Sequence, residues 1–280
     1  MIVDELKAIV SQSRSVKNRE YIRNLLKEVI QLYVLNFIYT SFSYKNLIFT
    51  GGTCLRRLYN LPRLSEDLDF DTEGKSFPFE KFEKDIEDYF ARDWQYKKLE
   101  IKFKEKKKTF FLRLPILRDI GFSITSETDF LFVRLDFALN QSRIFGTQKH
   151  LLSSQNFSFL VKAYDFPSLF ANKINAFLTR EFKKGREQKE SFKGRDVFDL
   201  VWMLQKGREL SIKPNYNRLF DLTGVKDKDK LINLVNQKAE KIEPGALYED
   251  LRGFFADLNF VEDFCQNFRK LVVDNIDYLR

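Results

Sequence analysis

Two short stretches constrain this chain more than anything else in it. Ile48-Phe49-Thr50-Gly51-Gly52-Thr53 reads as an apolar strand entering a tight Gly-Gly turn with a hydroxyl. Asp67-Leu68-Asp69-Phe70 reads as a second strand carrying two carboxylates. Residues i and i+2 of a strand share a face, so Asp67 and Asp69 can converge on one point while Leu68 and Phe70 turn to a core. Paired carboxylates suit a hard divalent cation such as Mg²⁺. The N–H groups of a glycine turn suit phosphate oxygens. Together they are the minimum equipment for handling a nucleoside triphosphate.

The rest of the chain narrows the setting. At 280 residues, with 30 Phe, it can bury one large core or two modest ones. The formal charge of +8 favours polyanions, nucleic acid first, although many basic proteins bind none. A single histidine, His150, argues against a His-dependent triad or a multi-His metal centre. That leaves Asp, Glu, Lys and Arg to carry any chemistry. Cys54 and Cys265 imply neither a disulfide framework nor a zinc site. The first turn holds Asp4, Glu5 and Lys7 rather than a basic-then-apolar leader. Val29 to Phe42 is shorter than a membrane span and contains Gln31 and Asn36. The expectation is a soluble cytoplasmic monomer with no membrane association.

Along the chain, residues 4–13 and 19–42 read as helices, the second with Ile22, Leu25, Leu26, Val29, Ile30, Tyr33 and Phe37 at helical spacing. A strand-rich block follows: 46–50, 67–71, 99–103, 111–116 and Phe130 to Leu139, with an amphipathic helix at 79–90 between them. From Pro167, well placed for a first helical turn, the pattern is helical at 194–204, 230–241, 247–257 and 261–278. The fold class expected is α+β (mixed α/β), divided into 1–160 and a helical 161–280. Arg180, Lys183, Lys184, Arg186, Lys189, Lys193 and Arg195 make a basic run, within which Gly185 and Gly194 bracket a loop. Such a run is usually a solvated connector; its functional reading is contact with a phosphate backbone. A second basic cluster, Lys102 to Lys108, lies on a hairpin, and an exposed sheet face explains it at least as well.

A third carboxylate stands out. Arg134-Leu135-Asp136-Phe137 places an acid inside an otherwise apolar strand, and a buried charge needs a partner. Alone, Asp136 would be read as an ion pair with Arg134 or Arg113. Beside the Gly-Gly-Thr and Asp-Leu-Asp elements, a metal ligand is the better reading, because two ions bridged by carboxylates suit nucleotidyl transfer.

A Gly-Gly-Thr turn, a basic linker with Arg56, Arg57 and Arg63, then Asp-x-Asp resembles the signature of nucleotidyltransferases with the DNA polymerase β fold. Thr53 stands where Ser is commoner and keeps the hydroxyl. The resemblance sharpens toward the AbiEii branch in Gly51-Gly52-Thr53-Cys54-Leu55-Arg56 and Arg63-Leu64-Ser65-Glu66-Asp67-Leu68-Asp69-Phe70. It continues in Leu169 to Ala176 and in Lys193-Gly194-Arg195-Asp196-Val197-Phe198-Asp199-Leu200. These matches span roughly residues 46–204. The resemblance implies a polymerase β-like sheet domain and a helical domain completing the nucleotide cleft. It also implies a toxin-like enzyme of a toxin–antitoxin or phage-defence (abortive infection) system, with a cognate antitoxin of the AbiEi type. The substrates implied are an NTP and RNA, above all the 3′ end of tRNA, with two Mg²⁺ ions.

Roles follow for individual residues. Gly52 and Thr53 would hold the β- and γ-phosphates. Asp67 and Asp69 would ligate Mg²⁺, and Asp136 would complete the site and favour deprotonation of the attacking hydroxyl. Arg63 and Ser65 could reach phosphate, Ser65 serving equally well as a turn residue. Lys173 alone reads as a snorkelling lysine; the resemblance sets it facing the triphosphate. Asp196 would line the cleft, with Asp199 capping or pairing with Arg195. Arg180, Lys183, Lys184, Arg186, Lys193 and Arg195 are the candidate RNA contacts. Two other readings differ in kind: the same enzyme acting on a small molecule or a protein hydroxyl, and a non-catalytic RNA-binding module.

Overall fold

Strands of this chain form where apolar and polar residues alternate, and the longest of them organise one sheet. The computed structural model describes residues 2–74, 77–123, 127–180, 182–184 and 189–280, with backbone only at 107, 182–184 and 189–191. The chain divides into two compact units, Met1–Asn140 with Gln148–Ala163, and Gln141–Thr147 with Tyr164–Arg280. As the alternation and periodicity anticipate, the class is mixed α+β. Among the described residues no helix is long and apolar enough to cross a membrane.

The first unit begins with α1 (Ile2–Gln12) and α2 (Arg19–Thr40). Then come β1 (Ile48–Thr50), α3 (Gly51–Tyr59), β2 (Asp67–Thr72), α4 (Phe79–Arg92), β3 (Glu100–Lys104), β4 (Thr109–Pro115) and β5 (Phe130–Leu139). Two more strands, β6 (Thr147–Ser153) and β7 (Ser158–Tyr164), complete a seven-stranded sheet ordered β3-β4-β5-β2-β1-β7-β6. β2 runs antiparallel to β1 and parallel to β5, while β1 runs parallel to β7. Because the side-chain period is two, one face of this mixed sheet is apolar. Phe49, Phe70 and Phe137 stand side by side on three adjacent strands, each neighbouring pair of rings 5.5 Å apart. Phe82 of α4 closes on Phe137 at 5.2 Å. Burying each such ring contributes roughly 1.5–3 kcal/mol.

The helix α3 is absent from the sequence expectation, which places only a turn and a basic linker there. Its arginines are structural: Arg56 and Arg57 both reach the buried carboxylate of Glu28 on α2, at 3.2 and 3.6 Å. Gln31, one turn further along α2, donates to the carbonyl of Ser65 at 2.9 Å. Thus α2 carries polar groups in its buried face to hold the segment between β1 and β2. Strands β6 and β7 are likewise absent from the sequence expectation, because Leu151 and Leu160 are exposed where alternation would want polar groups.

His150, expected as a surface residue beside a loop, instead lies on β6 against Tyr59, whose hydroxyl is 3.1 Å from Nε2. Burial holds its imidazole below the ordinary value of 6.5. As pH falls below 6.5 the unfolded chain protonates first, so stability declines until the pH passes below the folded value. The substitution His150→Gln is expected to remove this acid-side decline, read as the denaturant midpoint against pH.

The second unit is helical: α5 (Phe166–Thr179), α6 (Gly194–Leu210), α7 (Tyr216–Thr223), α8 (Lys228–Glu240), α9 (Pro244–Leu251) and α10 (Leu258–Ile276). Asp165 caps α5 by accepting from the Ser168 N–H at 2.9 Å. At the other end, Lys238 donates to the carbonyls of Leu178 and Arg180, a cation where the helix dipole favours one. Arg218 of α7 is buried yet satisfied, donating to Asn172, Ser142 and Ile144. The helix expected at 247–257 stops at Leu251 and passes into a 3₁₀ turn at Arg252–Phe254. The basic run read as a loop forms a two-stranded ribbon, β8 (Phe182–Lys184) with β9 (Lys189–Ser191).

Candidate functional site

The three acids of the first unit share one face of the sheet. Parallel pairing sets Asp69 directly beside Asp136, and antiparallel pairing sets Thr50 beside Asp69. Asp67 lies two residues back along β2, level with Arg134. All three carboxylates are half-buried. The cross-sheet adjacency of β2 and β5 is what unites them, since β5 is more than sixty residues away in sequence.

Beside the acids, β1 ends and α3 begins at the glycine pair. Gly51 has φ +78°, a region where an L side chain is strained. A β-carbon there would overlap the Asp69 carboxylate. Gly52 is closely approached too, though less than Gly51: a β-carbon would lie 2.6 Å from Arg63 Nη2 and 3.1 Å from Ser65 Oγ. The turn therefore needs both glycines, one to admit Asp69 and the other to admit Arg63. Arg63 and Ser65 are buried, and Arg63 donates to the carbonyl of Leu64 at 2.8 Å. The structure thus brings Gly52, Arg63 and Ser65 together, with the two side chains against the α-carbon of the turn.

Thr53 is fully buried, and its hydroxyl donates to the carbonyl of Asp67. That bond ties the helix to the start of β2. Any phosphate contact here falls to backbone N–H groups rather than to the hydroxyl. The N-cap, Thr50, places no side-chain cap on α3. The first turn of a helix leaves N–H groups without intrahelical acceptors, and the dipole favours an anion there.

Asp136 is held by two neighbours. Thr109 donates to Oδ1 at 2.6 Å, and Arg134 Nη2 lies 2.7 Å from Oδ2. The ion pair with Arg134, one of the two readings open in the sequence, is therefore present. The donor chemistry fits a hard cation: oxygen ligands only, on one face, with Asp69 and Asp136 adjacent. The geometry is less complete. Among the described residues no three His, Cys, Asp or Glu side chains are arranged to hold a metal ion, and Asp136 is engaged by Arg134 and Thr109.

The second unit contains its own charged pairs. Lys173 of α5 is nearly buried, with Nζ 2.6 Å from Oδ2 of the fully buried Asp199 on α6. Asp196, one turn earlier on α6, receives Arg180 at 3.1 and 3.2 Å. Asp199 thus meets Lys173, a partner additional to the cap or the Arg195 pairing expected from the sequence. The facing helices α5 and α6 bring Lys173 and Asp199 together, and the Arg195 guanidinium lies over the ring of Phe254 at 4.7 Å. Of the candidate RNA contacts, Arg180 is committed to Asp196 and Lys193 stands at the N-cap of α6. The side chains of Lys183 and Lys184, and all of Arg186, lie outside the described residues.

Comparison with known proteins adds a family. A sequence-family model described as nucleotidyl transferase AbiEii toxin, type IV TA system, matches residues 34–274. None of the curated proteins matches the chain. Two solved structures from Helicobacter pylori are similar at low identity. One, described as a candidate nucleotidyltransferase, has 16% identity and a TM-score of 0.46 over 91% of this chain and 97% of that one. The other, JHP933, has 15% identity and a TM-score of 0.46 over 91% and 93%. Likeness that distant carries nothing about chemistry.

Proposed function

This chain belongs to the AbiEii family of nucleotidyltransferase toxins of type IV toxin–antitoxin systems, and from that premise we propose that it transfers a nucleoside monophosphate from an NTP to RNA. The acceptor proposed is the 3′ end of tRNA, and the consequence is arrested translation and growth, as in phage defence, relieved by a cognate antitoxin. The observation that carries the proposal is the alignment of Asp67, Asp69 and Asp136 on one sheet face beside the uncapped start of α3. The net charge of +8 favours a polyanionic acceptor.

In the reaction, the acceptor's 3′-hydroxyl oxygen forms a bond to the α-phosphorus. The bond from that phosphorus to the oxygen bridging the β-phosphorus breaks, pyrophosphate leaves with the electron pair, and the hydroxyl loses its proton. The N–H groups of the turn at Gly51, Gly52 and Thr53 hold the outer phosphates, while Arg63 and Ser65 steady the turn and add donors. Asp136 favours removal of the hydroxyl proton. Mg²⁺ bound by Asp67 and Asp69, with Asp136 as third ligand, would neutralise the leaving pyrophosphate and polarise the α-phosphate. For Lys173 and Asp196 we propose a share in nucleotide binding on family membership alone.

The acceptor class is tested by incubating the protein with α-labelled NTPs and fractionated cell lysate. Label is expected in the RNA fraction. Label confined to protein or to small molecules would replace RNA as the acceptor.

A further inference from the structure

One strand carries the site's third carboxylate and, on the same face, something more. Counting back along β5 in steps of two gives Asp136, Arg134, Phe132 and Phe130: acid, guanidinium, ring, ring. Same-face residues of a strand repeat about every 6.8 Å, so the series leads directly away from the carboxylates. The neighbouring strand extends it. Pairing sets Phe111 beside Arg134, and Arg113 beside Phe132. Cations accompany each ring: Arg113 lies 4.2 Å from the centroid of Phe130 and 5.7 Å from that of Phe132, and Lys104 lies 4.9 Å from that of Phe111.

Exposed phenylalanines on a sheet can be ordinary cross-strand pairs that stabilise strand pairing. Three observations go beyond that. Phe132 is 40% exposed on a well-paired inner strand. The apolar side of the same strands already packs a full aromatic core through Phe110 and Phe137. The rings also alternate with cations, and the β3–β4 hairpin beside them adds Lys102, Lys106 and Lys108.

We propose that this face of β3, β4 and β5 is a stacking platform for the single-stranded 3′ end of the RNA acceptor. Bases stack on Phe132 and Phe111, the hairpin lysines meet phosphates, and the terminal hydroxyl arrives at Asp136; Arg113, paired with Glu100 at 3.2 Å, packs on Phe130. Aromatic faces accept any base, and adjacent cations supply the salt-dependent part of the affinity. Single strands are the occupant that fits, because a paired duplex hides its base faces. The inference rests on RNA being the acceptor, and it deepens that reading by naming the surface.

The test is binding without turnover. Wild-type protein, with no NTP present, is titrated against a fluorescent twelve-nucleotide single-stranded RNA of mixed sequence, followed by anisotropy. Phe132→Ala and Phe111→Ala are each expected to weaken binding about 10-fold. Phe132→Tyr should stay close to wild type, and Phe42→Ala, which removes an 85% exposed ring outside this face, should change nothing. Far-UV circular dichroism verifies the fold of each variant. Affinity unmoved by both ring removals would overturn the platform even if RNA is labelled in the transfer assay. Equal weakening by Phe132→Tyr and Phe132→Ala, or tighter binding of single-stranded DNA or duplex RNA, would overturn it too. Ring-dependent RNA binding by a protein that labels no RNA would support the platform while removing the acceptor reading.

Discussion

Replacing Asp199 by alanine is expected to cost about 3–5 kcal/mol of stability, because it strands the ammonium of Lys173 in a nearly dry site. The pair is buried on both sides, with Asp199 fully enclosed and Lys173 almost so. An exposed ion pair would be worth no more than about 1 kcal/mol, so the burial decides the magnitude. Removing both charges separates the cost of orphaning one from the worth of the pair. Lys173→Met with Asp199→Leu should recover most of the loss, since two apolar groups of similar volume need no counter-ion. Chemical denaturation followed by the helical signal reads both variants. If Asp199→Ala unfolds at the wild-type midpoint, the ammonium has other support and the pair is not the organising contact between α5 and α6. Screening is weak for buried pairs, so raised salt should leave the difference intact.

Asp69→Asn is expected to lower nucleotide transfer by roughly 10³-fold or more, the scale on which several kcal/mol of electrostatic stabilisation at a reacting phosphate acts. The amide matches the carboxylate in shape, so it should still fit against the bare α-carbon of Gly51. What it loses is the negative charge. Asp69 stands at the centre of the arrangement, with Thr50 on one side and Asp136 on the other. The readout is the initial rate of label incorporation, with circular dichroism and the denaturation midpoint confirming an unchanged fold. A variant that transfers within a few-fold of wild type would move the chemistry away from this sheet.

These two cases also show what the amino-acid order makes legible. Asp67 and Asp69 on one face, with Leu68 and Phe70 on the other, follow from a period of two and need no structure. The strand at Phe130 to Leu139 is equally plain, a ten-residue run of β-forming apolar residues interrupted only by Arg134 and Asp136. Helix α3 was hidden because it is nine residues long and opens on two glycines, which read as a turn. Strand β6 was hidden because Leu151 breaks the alternation, and α7 because eight residues give barely two turns of periodicity. Partner choice lay furthest out of reach. Lys173 meets Asp199 from twenty-six positions away, across facing helices. The adjacency of Asp69 and Asp136 is likewise a matter of strand order, which no local spacing encodes. The rings of Phe130 and Phe132 are in the amino-acid order, but their neighbours Arg113 and Phe111 are supplied by the pairing of β4 with β5.

The most direct test of the central claim combines purified protein, each α-labelled NTP in turn, Mg²⁺ and purified tRNA. The account predicts label at the tRNA 3′ end with one pyrophosphate released per nucleotide added, and loss of both in Asp69→Asn. Folded wild-type protein that labels no RNA with any of the four triphosphates, or labelling that persists at full rate in Asp69→Asn, would contradict it.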